Sequence, residues 1–211
     1  MPGTLAGPPY VALLRGVNVG GHRRVRMQAL GEVFAALGCA QVRTVLASGN
    51  VVFAPPARLA GDEARLAARI ERALAEAFGH ETGVVLRPRE ELQRLAKRQP
   101  FGGERVMANT RLFVTFVAKT HRTALDIPYT SPDGSFRILC ASEREVCSVL
   151  TLGPHWGANL RQMEVLERAY GGGITTRSWS TVLRLAEVAR APLTRSAGRP
   201  ADPHVRRAGR G

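Results

Sequence analysis

Apolar positions along this chain recur with two different periods, and the change from one to the other marks out its elements. Tyr10–Arg15 is almost uniformly apolar, as expected of a short strand at the centre of a sheet. Within Arg26–Leu37, residues Met27, Leu30, Val33, Phe34 and Leu37 share one helical face, and Gly38 closes the helix. Val42–Leu46 and Val51–Phe53 are β-rich runs separated by Ala47, Ser48, Gly49 and Asn50. That spacer predicts a tight hairpin, because Gly and Asn accept positive φ. Asp62–Phe78 is the clearest helix: Leu66, Ile70, Leu74 and Phe78 recur every four residues, with Asp62 and Glu63 at its electropositive start. Val84–Arg87 follows as a strand.

The resulting order is β-α-β-β-α-β, the split arrangement of ferredoxin-like folds, with both helices on one face of an antiparallel sheet. The second half is less regular. Arg89–Lys97 reads as a connecting helix, Arg111–Val117 as a strand, and Phe136–Cys140 with Val146–Thr151 as a hairpin across Ala141–Glu145. Asn159–Tyr170 is a helix with Asn159 as its expected cap, ended by Gly171-Gly172-Gly173. Ile174–Thr176 is a short extended piece, and Ser178–Arg190 a last helix. With a degraded helix near Thr123–Leu125, this half is expected to form a second, irregular βαββαβ unit. The expectation is therefore an α+β protein of two ferredoxin-like subdomains, 10–88 and 89–191, antiparallel sheets bearing helices on one face. An N-terminal extension, 1–9, precedes them, and a disordered basic tail, 192–211, follows.

Composition adds a large positive charge. The formal net charge is +13, and Lys97 and Lys119 are the lysines among 30 basic residues. The tail after Ala191 holds +4 of it, leaving +9 on residues 1–191. Such a field attracts polyanions without specifying one, and arginine beside abundant Ala and Gly also follows from GC-rich coding. No apolar run approaches the ~20 residues of a membrane helix, and Met1–Pro9 lacks signal-peptide character, so a soluble, cytoplasmic protein is expected. Cys39, Cys140 and Cys147 lack metal-ligand spacing and read as small buried hydrophobes in a reducing compartment. Cys140 and Cys147 also fall on neighbouring strands, where they could face each other as a redox pair. The histidines are scattered, and neither a metal nor a cofactor is expected.

Three segments offer chemistry. Leu14 to Gly21 joins the first strand to the first helix; Gly16, Gly20 and Gly21 let backbone N–H groups approach an anion, and Arg15 adds a guanidinium fork. The spacing fits neither dinucleotide nor P-loop patterns, and a plain glycine-rich corner, with Asn18 bonding its own backbone, explains it equally. In the hairpin, Ser48 and Asn50 bring polar side chains to the sheet's end, though a tight turn accounts for every residue there. At the start of the last helix, Ser178 or Thr176 serves as a cap, while Arg177 beside Trp179 suits clamping a planar anion. No nucleophile elbow, CxxC, HExxH or paired-carboxylate pattern appears, so no catalytic residue is assigned.

Taken together, Arg15-Gly16-Val17-Asn18-Val19-Gly20-Gly21, Ser48-Gly49-Asn50-Val51-Val52-Phe53 and the run from Thr176 to Leu185 resemble family 1697 of the domains of unknown function. The family pattern runs roughly LRGINVGG, SGNVVF and TTRNWxTVxKL. The resemblance spans about residues 10–190 and implies two ferredoxin-like subdomains but no activity. Two departures stand out. Gly153-Pro154-His155-Trp156-Gly157-Ala158-Asn159-Leu160 lacks the lysine relatives carry before that helix, and Ser178 stands where the late motif has Asn. If those residues form a polar site in relatives, this member has a weaker one, with His155 or Arg161 as candidates to stand in.

The functional expectation is that Arg15, Asn18, Gly20, Gly21, Ser48, Asn50, Arg177 and Trp179 converge on one polar cleft holding a small phosphate- or carboxylate-bearing ligand. Two alternatives stand beside it: a nucleic-acid-binding protein using its basic surface, and a structural or interaction protein with no ligand. RNA-binding sheets of this class stack bases on exposed aromatics, and the first sheet offers only Tyr10 and Phe53.

Overall fold

The computed structural model describes residues 7–18, 25–118, 125–153 and 158–190. Strands β1 (Tyr10–Leu14), β2 (Ala40–Val45), β3 (Asn50–Ala54) and β4 (Val84–Pro88) form a first antiparallel sheet in the order β2-β3-β1-β4. Helices α1 (Met27–Ala36) and α2 (Glu63–Phe78) cover one of its faces. The local chemistry of α2 is as its sequence predicts. Asp62 Oδ1 accepts from Arg65 N at 3.0 Å, and Gly79 ends the helix at φ 73°.

Past helix α3 (Arg89–Arg98), β5 (Thr110–Val117), β6 (Tyr129–Thr130), β7 (Phe136–Ala141), β8 (Glu145–Thr151) and β9 (Ile174–Ser178) build a second antiparallel sheet, ordered β6-β7-β8-β5-β9. Its last four members, β7-β8-β5-β9, repeat the order β2-β3-β1-β4 of the first sheet. The short edge strand β6 carried no sequence signal, being two residues long. Helix α4 (Ala158–Tyr170) packs on one face of this sheet through Leu166, Ala169 and Tyr170. Asn159, expected as the cap, lies inside α4. Of the degraded helix anticipated near Thr123–Leu125, residues 123 and 124 lie outside the described residues, as does the basic tail, 192–211.

Helices do not stay on one face of the first sheet. Its other face presents Val11, Leu13, Val52 and Val85 to Leu92 and Leu95 of α3 and to Val182 and Leu185 of the last helix, α5 (Trp179–Arg190). The same core takes in Val114, Phe116, Cys147 and Val149 of the second sheet. This explains the sequence of β1: both faces are covered, so all five residues are buried and alternation is lost. The two halves thus share a core, with α3 and α5 as common property of both.

The β2–β3 hairpin departs from its predicted turn. Positive φ falls on Leu46 (58°) and Gly49 (70°), not on Asn50, which opens β3. Leu46 is 51% exposed and holds a left-handed backbone with little packing to justify it. A non-glycine residue there costs roughly 1–2 kcal/mol, against roughly 0.5–1 for the extra unfolded-state freedom of glycine. Leu46→Gly should therefore raise the unfolding free energy by about 0.5–1 kcal/mol in urea titrations; a lowered midpoint would mean the leucine side chain packs usefully.

Candidate functional site

The first strand ends between two glycines: Leu14 N donates to Gly49 O, and Arg15 N donates to Gly83 O, both at 2.9 Å. Gly49 is required here on two counts. Besides its positive φ, a Cβ at this position would lie 3.0 Å from Leu14 Cβ and 3.1 Å from Val17 Cβ. Asn18, itself at φ 57°, holds the corner after β1 by accepting from Val25 N at 2.9 Å and donating to Val25 O and Ala47 O. Its side chain thereby ties the β1–α1 connection to the hairpin.

Beside this corner lies Arg177 of β9, whose guanidinium is buried. Nε donates to Asn50 Oδ1 at 2.6 Å, Nη1 to Thr175 Oγ1 at 2.8 Å and Thr176 O at 2.9 Å, and Nη2 to Leu14 O at 2.7 Å and Ser48 O at 3.1 Å. Every N–H of the fork is spent. Burial pulls its pKa down to about 10, which leaves it charged at neutrality. Asn50 is fully buried and equally committed, donating to Val45 O and Ser48 Oγ at 2.9 Å each. Trp179 packs edge-to-face on Phe101, their centroids 5.2 Å apart. The capping role read for Ser178 is present: its Oγ accepts from Thr181 N at 3.3 Å.

Arg15 behaves differently from Arg177. Its Nε donates to Ile174 O at 2.9 Å, binding it across to β9. Among the described residues no partner is found for either terminal nitrogen. The side chain lies over Gly83, where a Cβ would sit 3.1 Å from Arg15 Cδ and 3.4 Å from Nη1. Arg15 also lines an open hollow of about 620 Å³ with Glu71, Arg72, Ala75, Glu81, Thr82 and Gly83. No ion pair within 4.0 Å joins its two arginines to its two glutamates among the described residues. Glu71 has one oxygen committed, accepting from Val84 N at 2.8 Å.

A family model described as "Protein of unknown function (DUF1697)" matches residues 8–130, which takes in the glycine-bearing corner and the hairpin. The chain belongs to this family. Among solved structures, this DUF1697 member is similar to the conserved bacterial protein SP0830 from Streptococcus pneumoniae, with a TM-score of 0.64 and 19% identity over 86% of this chain and 98% of that one. At that identity the likeness concerns the fold alone. No curated protein matches the chain.

The residues singled out in the DUF1697 motifs thus do meet, though not as a single open cleft. Arg15, Asn18, Ser48, Asn50 and Arg177 lie around the end of β1, linked through Leu14, Val25, Ala47 and Ile174. At Arg177 and Asn50 the polar groups fill each other, whereas at Arg15 the fork opens to solvent. Trp179 turns instead to the shared core. Gly20, Gly21 and His155 lie outside the described residues. Arg72, Glu81, Thr82 and Gly83 were missed by the sequence reading: Arg72 sits on the polar face of α2, indistinguishable from an ordinary solvated one, and the other three lie in the short connection from α2 to β4. The available signal was Gly83 just before β4, a small residue where a neighbouring side chain crosses the backbone.

Proposed function

We propose that this protein binds a small phosphate- or carboxylate-bearing molecule in the hollow beside Arg15. The observation that carries this reading is the half-committed guanidinium: Nε is anchored to Ile174 O, which aims the fork, while the two terminal nitrogens have no described partner. A pre-aimed fork loses little freedom on accepting two oxygens of a carboxylate or phosphate. Arg72 lines the same hollow and supplies a second positive group. Glu71 and Glu81 bound the ligand's size, since a long polyanion laid there would meet their charges.

This lining disfavours nucleic acid despite the net charge of +13. Tyr10 and Phe53, the aromatics of the first sheet, are buried under α1 and α2, away from any base. The ligand-free structural reading is favoured by one observation, the complete internal commitment of Arg177, which is how a clamp between subdomains is built.

Thermal shift with inorganic phosphate, pyrophosphate and short dicarboxylates separates these readings. A bound anion at ~100 times its Kd adds about 2.7 kcal/mol, which for a chain of this size moves the midpoint by roughly 5–10 °C. Arg15→Ala and Arg72→Ala should each abolish that shift. Equal shifts in wild type and both variants would remove the hollow as the site, and no shift with any anion would favour the clamp. A nucleic acid would instead lose roughly 10³–10⁵ in affinity between 50 and 200 mM salt if six to ten phosphates were contacted.

A further inference from the structure

Outside the Arg15 hollow, the hairpin β7–β8 places Cys140 directly opposite Cys147 in register. The hairpin closes with Ser142 N donating to Glu145 O at 2.8 Å, and Cys140 faces Cys147 two residues further along each strand, next to a register shift between Ile138 and Cys140. Opposed Cα atoms in an antiparallel ladder sit ~4.5–5.5 Å apart, within the span that a disulfide bridges. The two sulfurs differ in surroundings. Cys147 is fully buried in the core shared by the two halves, while Cys140 is part-exposed at its edge. Arg98, at the end of α3, pairs with Glu145 at 3.2 Å beside them.

We propose that Cys140 and Cys147 are a reversible dithiol–disulfide couple, with Cys140 the sulfur attacked first by a hydroperoxide and Cys147 the resolving thiol. In the first step the Cys140 thiolate attacks the peroxide: an S–O bond forms, the O–O bond breaks, and the leaving alkoxide or hydroxide takes up a proton. Sulfur is oxidised by two electrons to the sulfenic acid as the peroxide is reduced. In the second step the Cys147 sulfur attacks Cys140, the S–S bond forms, and hydroxide leaves with the Cys147 proton as water. A dithiol reductant reverses the couple by exchange. The Cβ atoms of an opposed pair sit ~4.5–5.5 Å apart and must close to ~3.5–4.5 Å for the bond; a bridge under that tension is readily reduced, which suits a reversible couple.

The ionisation of the two thiols follows their roles. The adjacent Cys147 thiol holds the Cys140 pKa below the usual thiol range, against the effect of burial, with Arg98 helping and Glu145 opposing. Cys147 shifts upward through the neighbouring Cys140 and its burial. Cys39 sits in the separate core under α1 and α2, where burial raises it to about 11, and serves as an internal control.

The test uses the full reduced chain and hydrogen peroxide. Peptide mapping of the wild type should give a Cys140–Cys147 cross-linked pair that a dithiol reductant removes, with Cys39 unmodified. Cys147→Ser, or Cys147→Ala should the serine variant not fold, should stop at a sulfenic acid on Cys140 that a cyclic 1,3-diketone traps. Alkylation of Cys140 should be half-maximal well below the ~8.5 of an ordinary thiol, and Arg98→Gln should move that midpoint upward. Oxidation of Cys140 to the sulfinic acid without a link to Cys147, first attack at Cys39 or Cys147, or an alkylation midpoint near ~8.5 would each overturn the proposal.

Discussion

Arg177→Ala is expected to lower the unfolding free energy by about 3–5 kcal/mol, the range for removing one member of a buried, hydrogen-bonded charged set. The guanidinium satisfies two carbonyls of the first half, Leu14 O and Ser48 O, and the amide oxygen of Asn50. Truncation leaves Asn50 Oδ1 and Ser48 O facing a void and Leu14 O with only the Thr175 hydroxyl at 3.4 Å, and each unmet buried acceptor costs about 1–3 kcal/mol before water enters. Arg177→Lys is the sharper variant. It keeps the charge, but a single ammonium cannot reach acceptors arrayed around a planar fork, so it should lose most of what Ala loses. Urea unfolding of the three proteins checks this. A lysine variant within about 1 kcal/mol of wild type would show that charge alone, not the fork, holds the junction.

This junction was legible in part. Local pattern marked the segments, because glycine-rich corners, hairpins and helix starts announce themselves within a few residues. Their meeting depended on contacts that no local signal carries: Arg177 reaches Asn50 across 127 positions, and Arg15 reaches Ile174 across 159. Asn50 shows how composition misleads. Ser48-Gly49-Asn50 reads as a turn, yet Leu46 and Gly49 carry the positive φ, while Asn50 is the buried acceptor for Arg177. The apolar β1 marked a central strand, but with helices expected on one face only, the cover on its other face by α3, α5 and another sheet went unread. Residues of the Arg15 hollow stayed hidden for the opposite reason. Arg72 and Glu81 are polar at surface positions, and such residues carry no mark until a hollow is seen between them.

Arg87 in β4 is the reciprocal of Arg177, and its loss is expected to be about as damaging. Arg177 extends from the second half into the first; Arg87 extends from the first into the second. Its Nη2 donates to Val117 O at 2.8 Å and to Arg144 O, its Nη1 to Leu86 O at 2.6 Å, and its Cζ lies 5.5 Å from the centroid of the Phe116 ring. Nε finds the Glu91 carboxylate at 3.7 Å, and Arg144 holds that carboxylate and Glu63 at 2.9 and 2.8 Å. Burial, with the nearby Arg144 charge, lowers the Arg87 pKa to about 10, so the group is cationic at neutrality and must be compensated in place. Arg87→Ala should therefore cost about 3–5 kcal/mol. Arg87→Met should cost less, because it refills the space over Phe116 and removes the buried charge, leaving only the carbonyls of Leu86, Val117 and Arg144 to find water. The order wild type, Met, Ala in urea midpoints checks this. An alanine variant equal to methionine would assign the stabilisation to hydrogen bonds rather than to filled volume. Combining Arg87→Ala with Arg177→Ala removes both buried guanidinium crossings and leaves the halves joined by the Arg15–Ile174 and Arg144–Glu63 links and by apolar contact around α3 and α5. Hydrogen exchange should then resolve two opening units where the wild type has one, because non-directional packing holds two sheets together without fixing their register as paired guanidiniums do.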